Sequence, residues 1–460
     1  MHLPSLTTGL PELDQAFRIA LGDIAGNIRP HRGELDAEAK PCLLAGLDYD
    51  KPWTRDAAFN TWYAGAALAP EVARNTLLSV LTRDDHGLRI GGEYWDAVVW
   101  AVGAWQLYLH TADQAFLATA FEATRNALRF FEQTEQDARD GLFRGGACFQ
   151  DGVAGYPDRF ADSTTSGIAD YVRKHPEAKA PVGHGLPIKA LSTNCLYAEV
   201  YRLAGWMAHA LGQSATSWDQ QAESLKAAIR THFWNPATGT FRYLLDADED
   251  PARQEGFGHA FALLFGIATP EQAQSVFQHQ HLTPHGIACV WPSYSRYTNP
   301  AGTSFGRHSG TIWPQVNVAW AAAATAGGRT EFAWSEIQLL AAKAARDSQF
   351  AEIYHPVDGR IYGGRQEMPQ DGKGIVEWLA CRRQTWCATG FIHMITHTLF
   401  GLRPEPDGLY AAPWLPAGLD RLELTGWPWR GTLLDLQVEH VAGGYRVNGK
   451  STRGGPAQVS

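Results

Sequence analysis

The sequence lacks the marks of several protein classes. Its six cysteines, Cys42, Cys148, Cys195, Cys289, Cys381 and Cys387, form no CxxC pair and have no close histidine partners, so neither a disulfide framework nor a zinc site is signalled. No apolar run approaches the roughly 18 residues of a membrane span. The opening stretch, MHLPSLTTGLPELDQAF, has no basic region followed by an apolar core. Basic charge is also in deficit: 39 Lys and Arg against 48 Asp and Glu leave a net charge of -9, which argues against nucleic acid or an anionic membrane as a main partner. These absences predict a soluble, cytoplasmic protein with no metal or cofactor, and they leave its oligomeric state open. What is plentiful is apolar and aromatic. Hydrophobic residues make up 45% of the 460 and 17 are Trp, enough for a large core with rings to spare beside the loops.

Helical periodicity recurs along most of the length. It predicts helices over Leu10 to Ile28, Trp53 to Leu68, Pro70 to Leu81, Tyr94 to Thr111, Asp113 to Gln136 and Ser192 to Leu211. Six more are predicted over Ala215 to Phe233, Gly256 to Ala268, Pro270 to His279, Thr311 to Ala326, Thr330 to Phe350 and Gln384 to Phe400. The joints alternate. Those at Ala69, Ala112 and Thr269 are single residues, whereas Arg29 to Pro52, Thr82 to Glu93, Asp137 to Leu191, Asn235 to Glu255, Gln280 to Gly310 and Ala351 to Arg383 are long and rich in Gly, Pro and aromatics. Short joints make antiparallel hairpins, so six hairpins closing into a ring place every long loop on one face. The predicted fold is all-α, an (α/α)6 barrel over residues 1–402. After Phe400 the short alternating runs LELTGW, LLDLQVEHV and YRVNG predict a small β-rich appendage over 403–460, with Ser451 to Ser460 as a frayed tail. The polar insertion Ala161 to Pro181 reads as a lid.

Two carboxylates stand out. Glu352 follows the eleventh helical segment, where Pro356 and Gly359 forbid helix from resuming. Asp151 lies in the third long loop, within GLFRGGACFQDGVAGYP. The third and sixth loops of a six-membered ring face each other. Opposed carboxylates are what glycoside hydrolysis uses: an acid for the leaving oxygen and a base or nucleophile on the other face of the sugar. Gln384 and Trp386 at a helix start add an amide for hydroxyls and a ring to stack on a pyranose.

The ordered series AGLDYDKPWTRDAAF, YWDAVVW, FQDGVAGYP, RHSGTIWPQVN, FAEIYHPVDG and QTWCATGF resembles the six-hairpin glycosidases over roughly Leu10 to Leu415. It is most similar to the processing α-glucosidase and mannosylglycerate hydrolase group, with the debranching amylo-α-1,6-glucosidases nearby. The resemblance implies an inverting, exo-acting α-glycosidase on a short oligosaccharide or small glycoside. In it Asp151 is the general acid, and Glu352, with Tyr354 and Gly359 at the E-x-Y-x-x-x-x-G spacing, is the general base. It also implies sugar contacts by Arg55 and Asp56, beside Trp53. Tyr94, Trp95 and Asp96 open an inner helix, and Asp96 is either a cap or a hydroxyl ligand. His308, Trp313 and Gln315 flank the start of another. The family's usual W-D at the acid is Gln150-Asp151 here, and Glu377 is a rival for the base. Two rivals share the barrel: a sugar 2-epimerase using His308, His259 or His184, and a glycoside phosphorylase with no base at 352.

Overall fold

The computed structural model describes residues 3–85, 87–448, 450–451 and 456–459. The chain is mostly helical, and each of the twelve predicted spans holds a helix. They are α1 (Pro11–Gly26), α2 (Thr54–Asn60), α3 (Pro70–Ser79), α4 (Tyr94–Thr111), α5 (Gln114–Thr134), α6 (Leu191–Ala210), α7 (Thr216–Phe233), α8 (Gly256–Leu264), α9 (Pro270–His279), α10 (Pro314–Ala326), α11 (Thr330–Asp347) and α12 (Thr385–Met394). Helices α2 and α12 run on into π-helical turns, Thr61–Gly65 and Ile395–Leu399.

Local chemistry sets the boundaries. Proline occupies the first positions of α3, α9 and α10, where a missing N–H costs nothing. Helix α10 therefore starts at Pro314, later than the periodicity predicts, with Trp313 still extended. Thr269 and Gln272 cap α9 reciprocally, and Asp113 accepts a 2.9 Å hydrogen bond from the Phe116 N–H to start α5. Between α4 and α5 the chain reverses in two residues, Ala112, which takes a left-handed φ of 54°, and the capping Asp113.

The even-numbered helices pack in a closed order: α2 on α4, α4 on α6, α6 on α8, α8 on α10, α10 on α12, and α12 back on α2. The odd-numbered helices lie outside them, with α3 and α5 on α4, α7 on α6, α11 on α10, and α1 against both α11 and α12. Phe277 of α9 packs on Trp320 of α10. Inner helices consequently bury polar as well as apolar side chains; α10 buries every residue from Pro314 to Ala324, Gln315 and Asn317 included.

The long loops hold short antiparallel strand pairs that periodicity does not reveal, including Gln254–Glu255 with Val290–Trp291 and Arg365–Glu367 with Ile375–Glu377. The C-terminal β unit has two sheets. In the larger, Arg421–Trp429 pairs with Thr432–Val441 on one side and with Ser5–Thr7 on the other, so the appendage recruits a strand from before α1. The predicted frayed tail is corrected in part: Ala457–Gln458 pairs with Tyr410 and Ala411, a two-residue edge too short to show alternation.

Arg430 fastens this unit to the ring. Its guanidinium donates to the Leu109 carbonyl in the last turn of α4 and to the Glu405 and Pro406 carbonyls. Charged donors on half-buried carbonyls contribute about 1–3 kcal/mol. Arg430→Ala is therefore expected to lower unfolding stability by about that amount, seen as a lower urea midpoint at unchanged slope.

A cavity of about 640 Å³ lies at the end of the inner helices away from the long loops, lined by Trp62, Trp105, Trp206, Phe265, His393 and His397. Among the described residues, no helix is long and apolar enough to cross a membrane.

Candidate active site

The loop that carries Asp151 is laid along the first turn of α6. Asn194 bonds both backbone groups of Phe143, Thr193 donates to the Gly146 carbonyl at 2.8 Å, and the Cys148 N–H donates to the Ser192 hydroxyl at 2.9 Å. Phe149 then takes a left-handed φ of 60°, a conformation a phenylalanine holds only when its surroundings impose it. Beyond it Asp151 emerges with its side chain 41% exposed. Its Oδ2 accepts a 2.7 Å hydrogen bond from Arg55 Nη2, and its Oδ1 lies 3.6 Å from His308 Nε2. The predicted lid is fixed to this loop: the Ile168 N–H donates to the Asp151 carbonyl at 2.8 Å, and Ile168 is fully buried.

Arg55 also reaches Asp96 Oδ2 at 3.4 Å and stacks on the half-buried Trp53 ring, 5.1 Å from its centre. Burial works against its charge, but Asp96, Asp151 and Asp56 more than offset this and raise its pKa above the ordinary value. Burial likewise pushes the Asp151 carboxyl up, while Arg55 and, after it, Arg307 outweigh it and hold the carboxyl below its usual range. Asp96 is pushed up to about 7 by burial against the pull of Arg55. Asp56 is raised by burial too, with Glu352, Asp96 and Asp151 adding to the effect. Burial lowers His308 to about 3, so its ring is neutral.

The other wall begins where α11 ends and Ser348 turns left-handed, with φ 53°. The Phe350 N–H is caught by Asp23, and Tyr354 pairs with Ile312 as an isolated antiparallel bridge. These ties hold Glu352, only 2% exposed, with Oε2 accepting from the Cys381 N–H at 3.0 Å. Oε1 is less committed, 3.3 Å from the Tyr49 hydroxyl and 3.7 Å from Arg307 Nη2. Glu377 is exposed on its hairpin.

Joining the walls, Gln384 stands just before α12 and donates to Asp56 at 3.3 Å. His308 stacks on Trp313, ring centres 5.0 Å apart, and Phe149, Trp313 and Trp386 pack together behind it. Several buried polar atoms here have no hydrogen-bond partner among the described residues: Asp96 Oδ1, Arg307 Nη1, both amide atoms of Gln315, Gln384 Oε1 and Trp386 Nε1. Buried polar atoms left unsatisfied in one place require an explanation, and a hydroxyl-rich ligand supplies one.

The remaining sequence candidates divide differently. Trp95, Gln150 and Tyr354 are fully buried, and their surroundings make them supports: the Tyr354 hydroxyl accepts from the Ala351 N–H, and both amide ends of Gln150 are taken, by Tyr243 and Glu255. The Tyr94 side chain lies outside the described residues. His259 is buried with both ring nitrogens engaged, by Gln280 and the Phe241 carbonyl. Sequence reasoning overlooked Tyr49, although it stands inside the AGLDYDKPW motif, and Glu255, which looks from sequence like a helix cap.

The buried acids set a pH dependence. Burial raises Asp23 to about 6, Asp96 and Glu135 to about 7 and Glu255 to about 8. A carboxyl with a raised folded pKa keeps a proton that the unfolded chain releases, so its stabilising effect is full below about pH 4. That effect is lost as pH climbs through the folded value. The lowered Asp137 and Asp151 act oppositely, and only in the acid range. Buried histidines work the other way up to about pH 6.5, because burial lowers His110 and His397 to about 4 and His308 to about 3. Melting temperature is therefore expected to fall between about pH 7 and 8.5, readable by calorimetry.

A family model, the mannosylglycerate hydrolase MGH1-like glycoside hydrolase domain, matches residues 49–367. A search of curated proteins finds no match. Among solved structures, a sialidase superposes with a TM-score of 0.68 at 14% identity, covering 98% of this chain and 40% of its own. A family 78 rhamnosidase from a Bacillus species gives 0.65 at 15% identity, with 97% and 42% coverage. The chain thus spans about two-fifths of the length of these two. A family 63 mannosylglycerate hydrolase from Thermus thermophilus, in complex with glucose, gives 0.61 at 15% identity, covering 82% of this chain and 99% of its own. With its central 319 positions, 49 through 367, matched by one family model, the chain belongs to the MGH1-like glycoside hydrolase family.

Proposed function

We propose that the closed ring is an (α/α)6 barrel whose funnel carries out inverting, exo-acting hydrolysis of an α-glucosidic or α-mannosidic bond. The substrate class is a short oligosaccharide or a small glycoside, such as a glucosylglycerate- or mannosylglycerate-like compound. The observation that supports this best is the pairing of a partly open carboxylate, Asp151, with a buried one, Glu352, around polar atoms that have no partner of their own among the described residues.

In this reading Asp151 gives its proton to the glycosidic oxygen as the bond to the anomeric carbon breaks. Glu352 takes a proton from a water that attacks that carbon from the opposite face, and the product forms with inverted configuration. Glu352 suits the task because Oε2 is fixed by the Cys381 N–H while the long contacts of Oε1 leave it free to accept from a water. Asp151 is ionised before substrate arrives, so it must gain a proton as the sugar binds. A sugar that expels water and draws on the donors of Arg55 weakens the effect holding the carboxyl down, and burial then raises it. Arg55, Asp56, Asp96, Gln315, Gln384 and Trp386 hold the sugar, with Trp53 at the rim and His308 and Trp313 beneath.

The deciding measurement is NMR of the first-formed product anomer. Release of β-sugar from an α-glycoside in phosphate-free buffer is the expected result. First-formed α-sugar, a strict phosphate requirement, or epimerisation of the free sugar would each overturn the reading.

A further inference from the structure

Glu255 is a carboxyl with no cation against it among the described residues, fully buried at the start of α8. One of its oxygens is used on the loop that carries Asp151, the other on the first turn of α6 that holds that loop. Oε1 accepts from Gln150 Nε2 at 3.2 Å, and Oε2 accepts from the Ser192 N–H at 3.1 Å. Ser192 in turn holds the Cys148 N–H. Glu255 therefore grips the loop on both sides of Phe149, the residue whose left-handed conformation aims the chain at Asp151. The other end of the Gln150 amide accepts from Tyr243 at 3.1 Å, and its carbonyl accepts from Tyr156 at 2.7 Å. Glu255 itself does not touch Asp151, and none of the groups proposed to hold the sugar bonds to it.

We propose that Glu255 is a positioning residue for proton donation: through Gln150 and Ser192 it fixes the direction in which Asp151 presents its carboxyl, and it has no part in binding the sugar. This rests on the reading of Asp151 as the acid. An isosteric amide preserves the network. In Glu255→Gln the new carbonyl accepts from Ser192, the new NH2 donates to Gln150, and the Gln150 amide turns over to donate to Tyr243.

The test uses leaving groups. Methyl or glyceryl α-glucosides and α-mannosides need a proton on departure, whereas α-D-glucosyl and α-D-mannosyl fluoride scarcely do. Glu255→Ala is expected to lower kcat on the alkyl glycoside by about 10- to 100-fold, within the range of acid catalysis. KM should hardly move, turnover of the fluoride should stay near native, and Glu255→Gln should recover most of the loss. Gln150→Ala should show the same split, which keeps the test open if Glu255→Ala fails to fold. Equal losses on both substrates for Glu255→Ala and Gln150→Ala, alongside a clear split for Asp151→Asn, would sink the positioning role alone. Absence of the split in Asp151→Asn, or no turnover of any of these probes by the native enzyme, would take the acid assignment and this inference down together.

Discussion

Asp151→Asn is expected to lose about 100- to 10,000-fold in kcat on an alkyl α-glycoside, the usual worth of a general acid. Turnover of the matching glycosyl fluoride should remain within a small factor of native. The substitution keeps one oxygen to accept from Arg55 Nη2, now 2.7 Å away, so the wall should stay in place. What disappears is the acidic proton. The pH profile should report the same thing. In native enzyme kcat/KM is expected to fall as pH rises, because Arg55 and Arg307 keep the free carboxyl ionised. That alkaline limb should be missing from Asp151→Asn assayed with the fluoride. Near-native hydrolysis of the alkyl glycoside by this variant would remove Asp151 from the chemistry.

Glu352→Gln is expected to lose a similar amount, about 100- to 10,000-fold, and on the fluoride as much as on the alkyl glycoside, because both reactions need an activated water. The amide oxygen still accepts from the Cys381 N–H, so the local fold survives and the loss is chemical. Glu377→Gln, on the exposed hairpin, serves as the control and should keep native turnover. If Glu377→Gln were the inactive variant and Glu352→Gln the active one, the base would have to be reassigned. Together the three variants separate proton donation from water activation, since only the acid variant discriminates between leaving groups.

Much of the helical framework was legible because its signals are long. Segments such as Asp113 to Gln136 repeat their apolar spacing over several turns, and short joints such as that at Ala112 leave no room for anything but a hairpin. The strand pairs in the loops were not legible. Gln254–Glu255 or Arg365–Glu367 has too few residues to show a period, and the contacts that make each a strand come from elsewhere in the chain. Ser5–Thr7 escaped notice for the same reason. At the site, residue type and loop position singled out Asp151 and Glu352. Neither revealed which neighbours face the funnel and which stand behind it. Gln150 and Tyr354 read as sugar contacts in sequence, yet both side chains are consumed by internal hydrogen bonds. Gln150 adjoins Asp151 and Tyr354 lies two residues beyond Glu352, and in both cases the side chain's direction is fixed by partners elsewhere in the chain that a pattern of letters does not show. Glu255 was missed because a Glu before a helix is ordinary; only its burial and its two partners distinguish it.

The pairing of Ser5–Thr7 with Glu423, Leu424 and Thr425 bears on how the molecule is made. A ribosome releases that first strand long before its partner exists, and α2 likewise waits for α12 to close the ring. Throughout most of translation the nascent chain exposes an apolar helix face and an unmated β edge, the surfaces that chaperones recognise and that aggregation exploits. Expression yield should therefore respond to the rate of synthesis and to chaperone supply more than to the stability of the finished enzyme.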